Sequence, residues 1–115
     1  MSTRKFLISL AAVSSLIAGT AVAQQYPARP VRIVIPTAAG GGVDIYTRAI
    51  SQKLTETWGQ QILVDNRPGA NGIIALEQVI KAKPDGYTLL AAFTSVLTIN
   101  PHVYKSLPYD TFRDL

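Results

Sequence analysis

The chain has 115 residues, no cysteine and a formal net charge of +4 at pH 7. The lack of cysteine excludes disulfide frameworks, thiolate metal sites, cysteine nucleophiles and the lipidated cysteine of a lipoprotein. Beyond residue 23, nine Lys and Arg face seven Asp and Glu, and the basic residues are scattered rather than clustered. The charge therefore predicts no nucleic-acid partner.

The start of the chain has the order of a secretory signal peptide. Arg4 and Lys5 form a basic segment, residues 6–18 carry no charge, and an A-x-A pattern ends at Ala23. The uncharged stretch is shorter than the roughly 18–20 residues that a membrane-spanning helix needs. We therefore predict a signal peptide with cleavage after Ala23; an uncleaved membrane anchor is the alternative.

The mature chain, residues 24–115, alternates segments typical of strands with segments typical of helices. Val31–Ile35 is a β-branched run that predicts a buried strand. A helix is predicted over residues 45–58, where apolar side chains recur every four positions on one face: Tyr46, Ile50, Leu54 and Trp58. Gly59 is suited to end that helix.

The same alternation continues to the end of the chain. It predicts a strand at residues 62–64, a helix at 73–81 and a strand at 87–93, followed by a loop. The apolar stripe of the helix at 73–81 consists of Ile73, Leu76, Val79 and Ile80. Asn100 is predicted to cap a short helix whose first residue is Pro101. The β-α-β-α-β order predicts an α/β fold with a parallel sheet and right-handed crossovers. Ligands of such sheets bind at the carboxyl ends of the strands.

The loop after the first predicted strand contains three consecutive glycines at residues 40–42. Glycines let the backbone approach a ligand closely, and a helix N-terminus directs free N–H groups at an anion. The loop lacks both the G-x-G-x-x-G pattern of dinucleotide sites and the Gly-Lys-Ser/Thr of phosphate-binding loops. It is therefore either a tight turn or an anion site. Asp44 suits the N-cap or first turn of the following helix.

Two later loops also follow predicted strands. Asn66 and Asn71 lie in a segment with two glycines and a proline, where their amides either contact a ligand or cap a turn. Thr94 and Ser95 end the third predicted strand, where they either face the same cleft or lie in a solvated loop.

Catalytic and metal-binding sets are missing from the sequence pattern. His102 is the only histidine, which excludes a multi-histidine metal site. No serine of the mature chain lies in a G-x-S-x-G motif. The positions of Asp44, Asp65 and Asp85, at a helix start, a strand end and a turn, explain these residues without acid–base chemistry. We therefore expect neither an enzyme nor a metal or cofactor site.

Four motifs follow one another along the chain. The first joins Arg-Pro-Val-Arg-Ile-Val-Ile-Pro at 29–36 to Ala-Gly-Gly-Gly-Val-Asp at 39–44. The second is Val-Asp-Asn-Arg-Pro-Gly-Ala-Asn-Gly at 64–72, and the third is Pro-Asp-Gly-Tyr-Thr-Leu-Leu at 84–90. The fourth is Ile-Asn-Pro-x-x-Tyr-x-x-Leu-Pro-Tyr-Asp at 99–110. In this order and spacing they resemble the tripartite tricarboxylate transporter substrate-binding proteins, also called the Bug family.

The resemblance implies a periplasmic-binding-protein-like (type 2) α/β clamshell of two lobes. This chain would cover about its first third, residues 24–115 forming the N-terminal part of lobe 1, so we expect a segment of a longer protein. The resemblance implies a monomeric periplasmic protein without a cofactor. It would capture a small carboxylate and deliver it to membrane subunits of a tripartite tricarboxylate-type transporter.

The resemblance also implies which residues bind the ligand. The loop after the first strand would offer its backbone N–H groups to the carboxylate: Thr37, Ala38, Ala39, Gly40, Gly41 and Gly42. Asp44 would fix the helix start or reach a ligand group, and Asn66, Thr94 and Ser95 would line the same cleft. The chain departs from the family pattern at Thr37, Ala39 and Val43, where an aromatic residue, proline and threonine are usual. Thr37 would change the pocket wall, so the ligand's identity cannot be transferred from relatives.

Three hypotheses thus stand after the sequence alone. The first is a solute-binding protein for a di- or tricarboxylate or a similar organic acid. The second is an exported α/β enzyme, such as a hydrolase, whose catalytic residues lie outside this segment. The third is a truncated remnant that binds nothing.

Overall fold

The computed structural model describes residues 25–115, so the predicted signal peptide and its cleavage site lie outside the described residues. Within them the β-α-β-α-β order is confirmed, with short helical turns added. The elements are β1 Val31–Ile35, α1 Gly42–Trp58, β2 Ile62–Asn66, a 3-10 turn Ala70–Gly72, α2 Ile73–Ile80, β3 Thr88–Leu90, a π-helical turn Ser95–Ile99 and α3 Asn100–Val103.

The three strands form a parallel sheet in the order β2-β1-β3, with β1 in the centre. Val31 lies opposite Ile62 and Ile35 opposite Asn66, while Val34 pairs with Leu90 on the other side. The central strand is almost wholly buried, because a parallel sheet is covered on both faces. The carboxyl ends of all three strands therefore lie along one edge.

Each face of the sheet is covered by one of the longer helices. Side chains of a strand alternate between the two faces. Val31, Ile33 and Ile35 form one buried cluster with Val43 and Leu54 of α1. On the other face, Nη2 of Arg32 donates to Oε1 of Gln78 in α2 at 2.8 Å. A second cluster, around α2 and the C-terminal segment, buries Leu76, Val96 and Tyr109.

The stripe predicted for α1 does not form the packed face of the helix. Tyr46 is 74% exposed and Ile50 58% exposed, and only Leu54 packs against the core. Four residues advance an α-helix by about 40° beyond a full turn, so a stripe of three such steps winds away from the sheet. The helix instead buries three polar residues: Asp44, Thr47 and Ser51.

The third strand and the segment after it differ from the prediction. β3 ends at Leu90, because β1 ends at Ile35 and the last bond between them runs from Ala91 N–H to the carbonyl of Val34 at 3.0 Å. The chain then turns helical at Ser95 and stays so into α3, instead of forming a loop. Asn100 already has helical backbone angles and is fully buried, so the prediction that it caps the helix is wrong.

Two predicted helix features are confirmed. Gly59 ends α1 in the left-handed conformation, with φ of 66°, and its N–H donates to the carbonyl of Thr55 at 3.0 Å. In α2 three of the four residues of the predicted apolar stripe pack inward, with Leu76 fully buried and Ile73 and Ile80 against the same cluster. No helix within residues 25–115 is long and apolar enough to span a membrane.

Candidate functional site

Three loops meet at the carboxyl edge of the sheet, each following one strand. Gly72 marks the point of contact, since a Cβ placed there would lie 2.5 Å from Cγ2 of Val96 and 3.3 Å from Cβ of Pro36. Pro36 belongs to the first loop and Val96 to the segment after β3. Gly72 also has φ of +88°, a conformation that glycine adopts without penalty. The sheet therefore brings the predicted loops to one place.

Asp44 is the centre of a hydrogen-bond network at this edge. Its side chain is nearly buried, and its Oδ2 accepts the N–H of Gly40 at 2.9 Å. Its Oδ1 accepts Nε of Arg48 at 2.9 Å and Nδ2 of Asn66 at 3.0 Å. The hydrogen bond from Arg48, then those from Gly40 and Asn66, lowers the pKa of Asp44 from 3.8 to about 2. Asp44 is therefore ionised at neutral pH.

Asn66 links the same network to the end of β1. Its Nδ2 donates to the carbonyl of Thr37 at 3.0 Å as well as to Asp44, and its Oδ1 accepts Nη2 of Arg48 at 3.0 Å. Both the nitrogen and the oxygen of the Asn66 side-chain amide are thus hydrogen-bonded within the protein. In this structure the amide holds the first loop.

Arg48 is the member of the network that the sequence analysis did not select. It lies one turn beyond Asp44 on α1 and joins Asp44 to Asn66. Its spacing of four residues from Asp44 is the only sequence signal, and that spacing is common on solvent-facing helices.

The first loop has N–H groups that donate to no acceptor among the described residues. The N–H of Gly40 is engaged by Asp44, and that of Gly41 donates to the carbonyl of Ala38 at 3.3 Å. Ala38 and Ala39 are exposed at the loop tip, as is Gly42 at the start of α1. The first N–H groups of a helix have no acceptor within the helix, so the N-terminus of α1 adds donors to this surface. The hydroxyl oxygen of Thr37, in contrast, is buried and lacks a hydrogen-bond partner among the described residues.

The second and third loops are joined by a pair of asparagines. Nδ2 of Asn71 donates to Oδ1 of Asn100 at 2.6 Å, and Nδ2 of Asn100 donates to the carbonyl of Asn71 at 3.1 Å. These hydrogen bonds give the fully buried Asn100 a structural role that its sequence context did not indicate. Thr94 is exposed and Ser95 half-buried at the start of the helical segment after β3.

The cations close to this edge are paired with carboxylates. Arg48 is paired with Asp44, and Nε of Arg67 lies 3.0 Å from Oδ1 of Asp65. Asp65 also accepts hydrogen bonds from Arg32. Burial raises the pKa of Asp65, but the hydrogen bonds from Arg32 and Arg67 outweigh it and lower the pKa below its usual value. The donors left for an anion are therefore mainly backbone N–H groups.

Three cavities among the described residues are lined by residues outside the first loop, and one of them includes Arg48 in its lining. One of about 270 Å³ lies beside Tyr109 near the C-terminal end, and one of about 410 Å³ lies between α1 and β2. Another, of about 540 Å³, lies at the opposite end of the sheet beside Arg29 and Lys83. Among residues 25–115, no group of three or more acidic, histidine or cysteine side chains is placed to hold a metal ion.

Comparison with known proteins places the chain in a family. The sequence model described as tripartite tricarboxylate transporter family receptor matches residues 46–115. The chain belongs to this family. A UPF0065 protein of Bordetella bronchiseptica is 50% identical over 95 residues, covering 83% of this chain and 28% of the relative.

Solved structures of the family share the fold. R. palustris Rpa4515 with adipate has 37% sequence identity and a TM-score of 0.72, over 76% of this chain and 29% of that protein. MatC from Rhodopseudomonas palustris with bound malate has 34% identity and a TM-score of 0.72, over 77% of this chain and 30% of that one. The predicted periplasmic-binding-protein fold is thus confirmed, and the chain spans less than a third of the length of each of these relatives.

Proposed function

We propose that this segment supplies one side of the ligand site of a periplasmic solute-binding protein for a small organic acid, such as a di- or tricarboxylate. The observation that carries the proposal is the family match together with two structural relatives that contain dicarboxylates, adipate and malate. The whole protein would pass its ligand to a tripartite tricarboxylate-type membrane transporter. It would act as a monomer exported by the signal peptide predicted to end at Ala23.

The chemistry of the loop edge supports a carboxylate ligand. Exposed N–H groups at a loop tip and a helix N-terminus favour an anion. Because Arg48 and Arg67 are paired, recognition would rest on hydrogen bonds from the backbone and from Thr94 and Ser95. Charge-assisted hydrogen bonds to a carboxylate are stronger than neutral ones, so a few amides suffice to orient it.

The proposed ligand contacts come from the residues that the family resemblance implies. The loop from Thr37 to Gly42 would contact the carboxylate. Its main donors would be the backbone N–H groups of the exposed residues Ala38, Ala39 and Gly42. Asp44 and Asn66 would support the loop from behind through their hydrogen bonds to it, and for Asp44 we propose this structural role rather than direct ligand contact. We assign no catalytic role, since the relatives are solute-binding proteins.

A thermal-melt screen tests this function on the protein expressed at the full length its gene encodes. The panel contains malate, adipate, citrate, amino acids and nucleotides. A ligand present at a hundred times its Kd stabilises the folded protein by about 2.7 kcal/mol. A rise in melting temperature with one or a few organic acids is expected. A cooperative melt that no acid shifts, or turnover of a panel compound, would contradict the proposal.

A further inference from the structure

We propose that Arg48 is a positioning residue of the carboxylate site, which fixes the first loop through Asp44 and Asn66 and neutralises the charge of Asp44 behind it. This inference rests on the function proposed above. Arg48 itself would not touch the ligand, because its guanidinium is directed at the two side chains that hold the loop.

The network joins three elements that must be aligned for the loop to keep one shape. Asn66, the last residue of β2, bonds to the carbonyl of Thr37 just beyond β1. Asp44, in the first turn of α1, bonds to the N–H of Gly40 in the same loop. Arg48 donates to both Asp44 and Asn66 and thereby closes the network. A loop with glycines at its end has many accessible conformations, so such fixed contacts are what select one.

The charge of Asp44 gives Arg48 a second task. Oδ2 of Asp44 lies 2.9 Å from the amide nitrogen of Gly40, within the loop that is proposed to receive the ligand's carboxylate. A nearly buried, ionised carboxylate in that position repels an anionic ligand, and such repulsion is poorly screened by solvent. Arg48 forms a direct ion pair with it at 2.9 Å, which makes the pair neutral as seen from the loop. The planar Arg fork also presents its donors to the two acceptors in a fixed geometry, which the flexible ammonium of a lysine does not reproduce.

Four variants of the full-length protein separate these tasks. Arg48→Met removes the charge and both donors, Arg48→Lys keeps the charge but removes the planar fork, and Asp44→Asn removes the opposing charge. The double variant Asp44→Asn with Arg48→Met removes the two charges together. Lys53→Met is the matched control, since Lys53 is a cation of the same helix that is paired with Glu56 far from the loop.

Two readouts are measured for each variant. The first is the affinity for malate and for adipate by titration calorimetry at low and high salt. The second is the hydrogen-exchange rate of the Gly40 amide in the ligand-free protein, which reports the loop without any ligand. Arg48→Met should weaken binding by about tenfold or more at low salt, as expected for an uncompensated charge a few ångströms from the ligand. It should also speed exchange at Gly40, while Lys53→Met changes neither.

The double variant tests whether Arg48 acts by neutralising the charge of Asp44. Recovery of affinity relative to Arg48→Met, with a weaker dependence on salt, supports charge neutralisation by Arg48. A double variant that binds no better than Arg48→Met would overturn this electrostatic role, and partial rescue by Arg48→Lys supports it.

The outcomes also keep this inference distinct from the proposed function. If the wild-type protein binds neither acid, the proposed function fails, and the loop-positioning role is decided by exchange at Gly40 alone. If Arg48→Met keeps the wild-type exchange rate at the Gly40 amide and the wild-type affinity for the acids, the inference is overturned, even if the protein binds organic acids well.

Discussion

Replacing Gly72 by alanine should damage both the stability of the fold and the site, because three loops meet at this residue. A Cβ at this position would lie 2.5 Å from Cγ2 of Val96 and 3.3 Å from Cβ of Pro36. The backbone also has φ of +88°, which an alanine adopts only at a cost. The left-handed conformation costs about 1–2 kcal/mol for a residue with a Cβ. Overpacking a close contact costs about 1–3 kcal/mol more.

The expected loss is therefore about 2–5 kcal/mol in the free energy of unfolding, obtained from urea denaturation. Two glycines allow the contributions to be separated. Gly59 has φ of +66° with open space around its Cβ position, so Gly59→Ala should lose only the conformational part, about 1–2 kcal/mol. Gly42 has open space and no positive φ, so Gly42→Ala should be neutral or slightly stabilising.

Ligand affinity gives a second measure of the same contact. Gly72→Ala should weaken binding of the acid identified by the melt screen, because separating Pro36 from Val96 moves two loops of the site. Gly59→Ala should leave that affinity unchanged. A Gly72→Ala variant that loses no more stability than Gly59→Ala, and binds like the wild type, would refute the inferred packing of the three loops.

Three further predictions address the core and the Asp44 network. Leu76→Ala, at a fully buried position, should lower the unfolding free energy by about 2–5 kcal/mol in urea titrations, and Leu89→Ala, at a position 37% exposed, should lower it by clearly less. Tyr109→Phe removes the buried hydroxyl that donates to the carbonyl of Val96 at 2.7 Å and should cost about 0.5–1.5 kcal/mol by the same assay; no loss would show that this bond contributes nothing. The folded pKa of Asp44, about 2 against an ordinary 3.8, means that its ionised form stabilises the protein above about pH 4 and that this stabilisation is lost as the pH falls towards 2. The melting temperature of Asp44→Asn should therefore lie below that of the wild type at pH 5, with a gap that closes near pH 2; a gap independent of pH would contradict this.

The elements that the sequence predicts best are those with strong local signals. β1 occurs at its predicted residues, because a β-branched run ended by Pro36 has few alternatives. α1 ends at Gly59 as predicted, since the left-handed cap is a local property. The family motifs likewise identified the fold class, which the structural relatives confirm.

The features that the sequence did not predict depend on contacts between distant segments. The length of β3 is limited by where β1 stops. Asn100 is buried and accepts a hydrogen bond from Asn71, 29 residues earlier. Arg48 has an unremarkable spacing from Asp44, and its importance emerges only when the sheet register places Asn66 opposite Ile35. Local patterns cannot supply that register before the sheet is known.

The central claim is that N–H groups at the carboxyl edge of the sheet, where the three loops meet, bind a carboxylate. NMR tests this claim most directly. Backbone amide signals of the full-length protein are followed while the acid with the largest melt shift is added. We expect saturable shifts of Ala38, Ala39 and Gly42, with smaller changes at Thr94 and Ser95 and none at Lys53. Saturating binding that leaves the first loop unshifted, or a folded protein that no organic acid perturbs, would contradict the account.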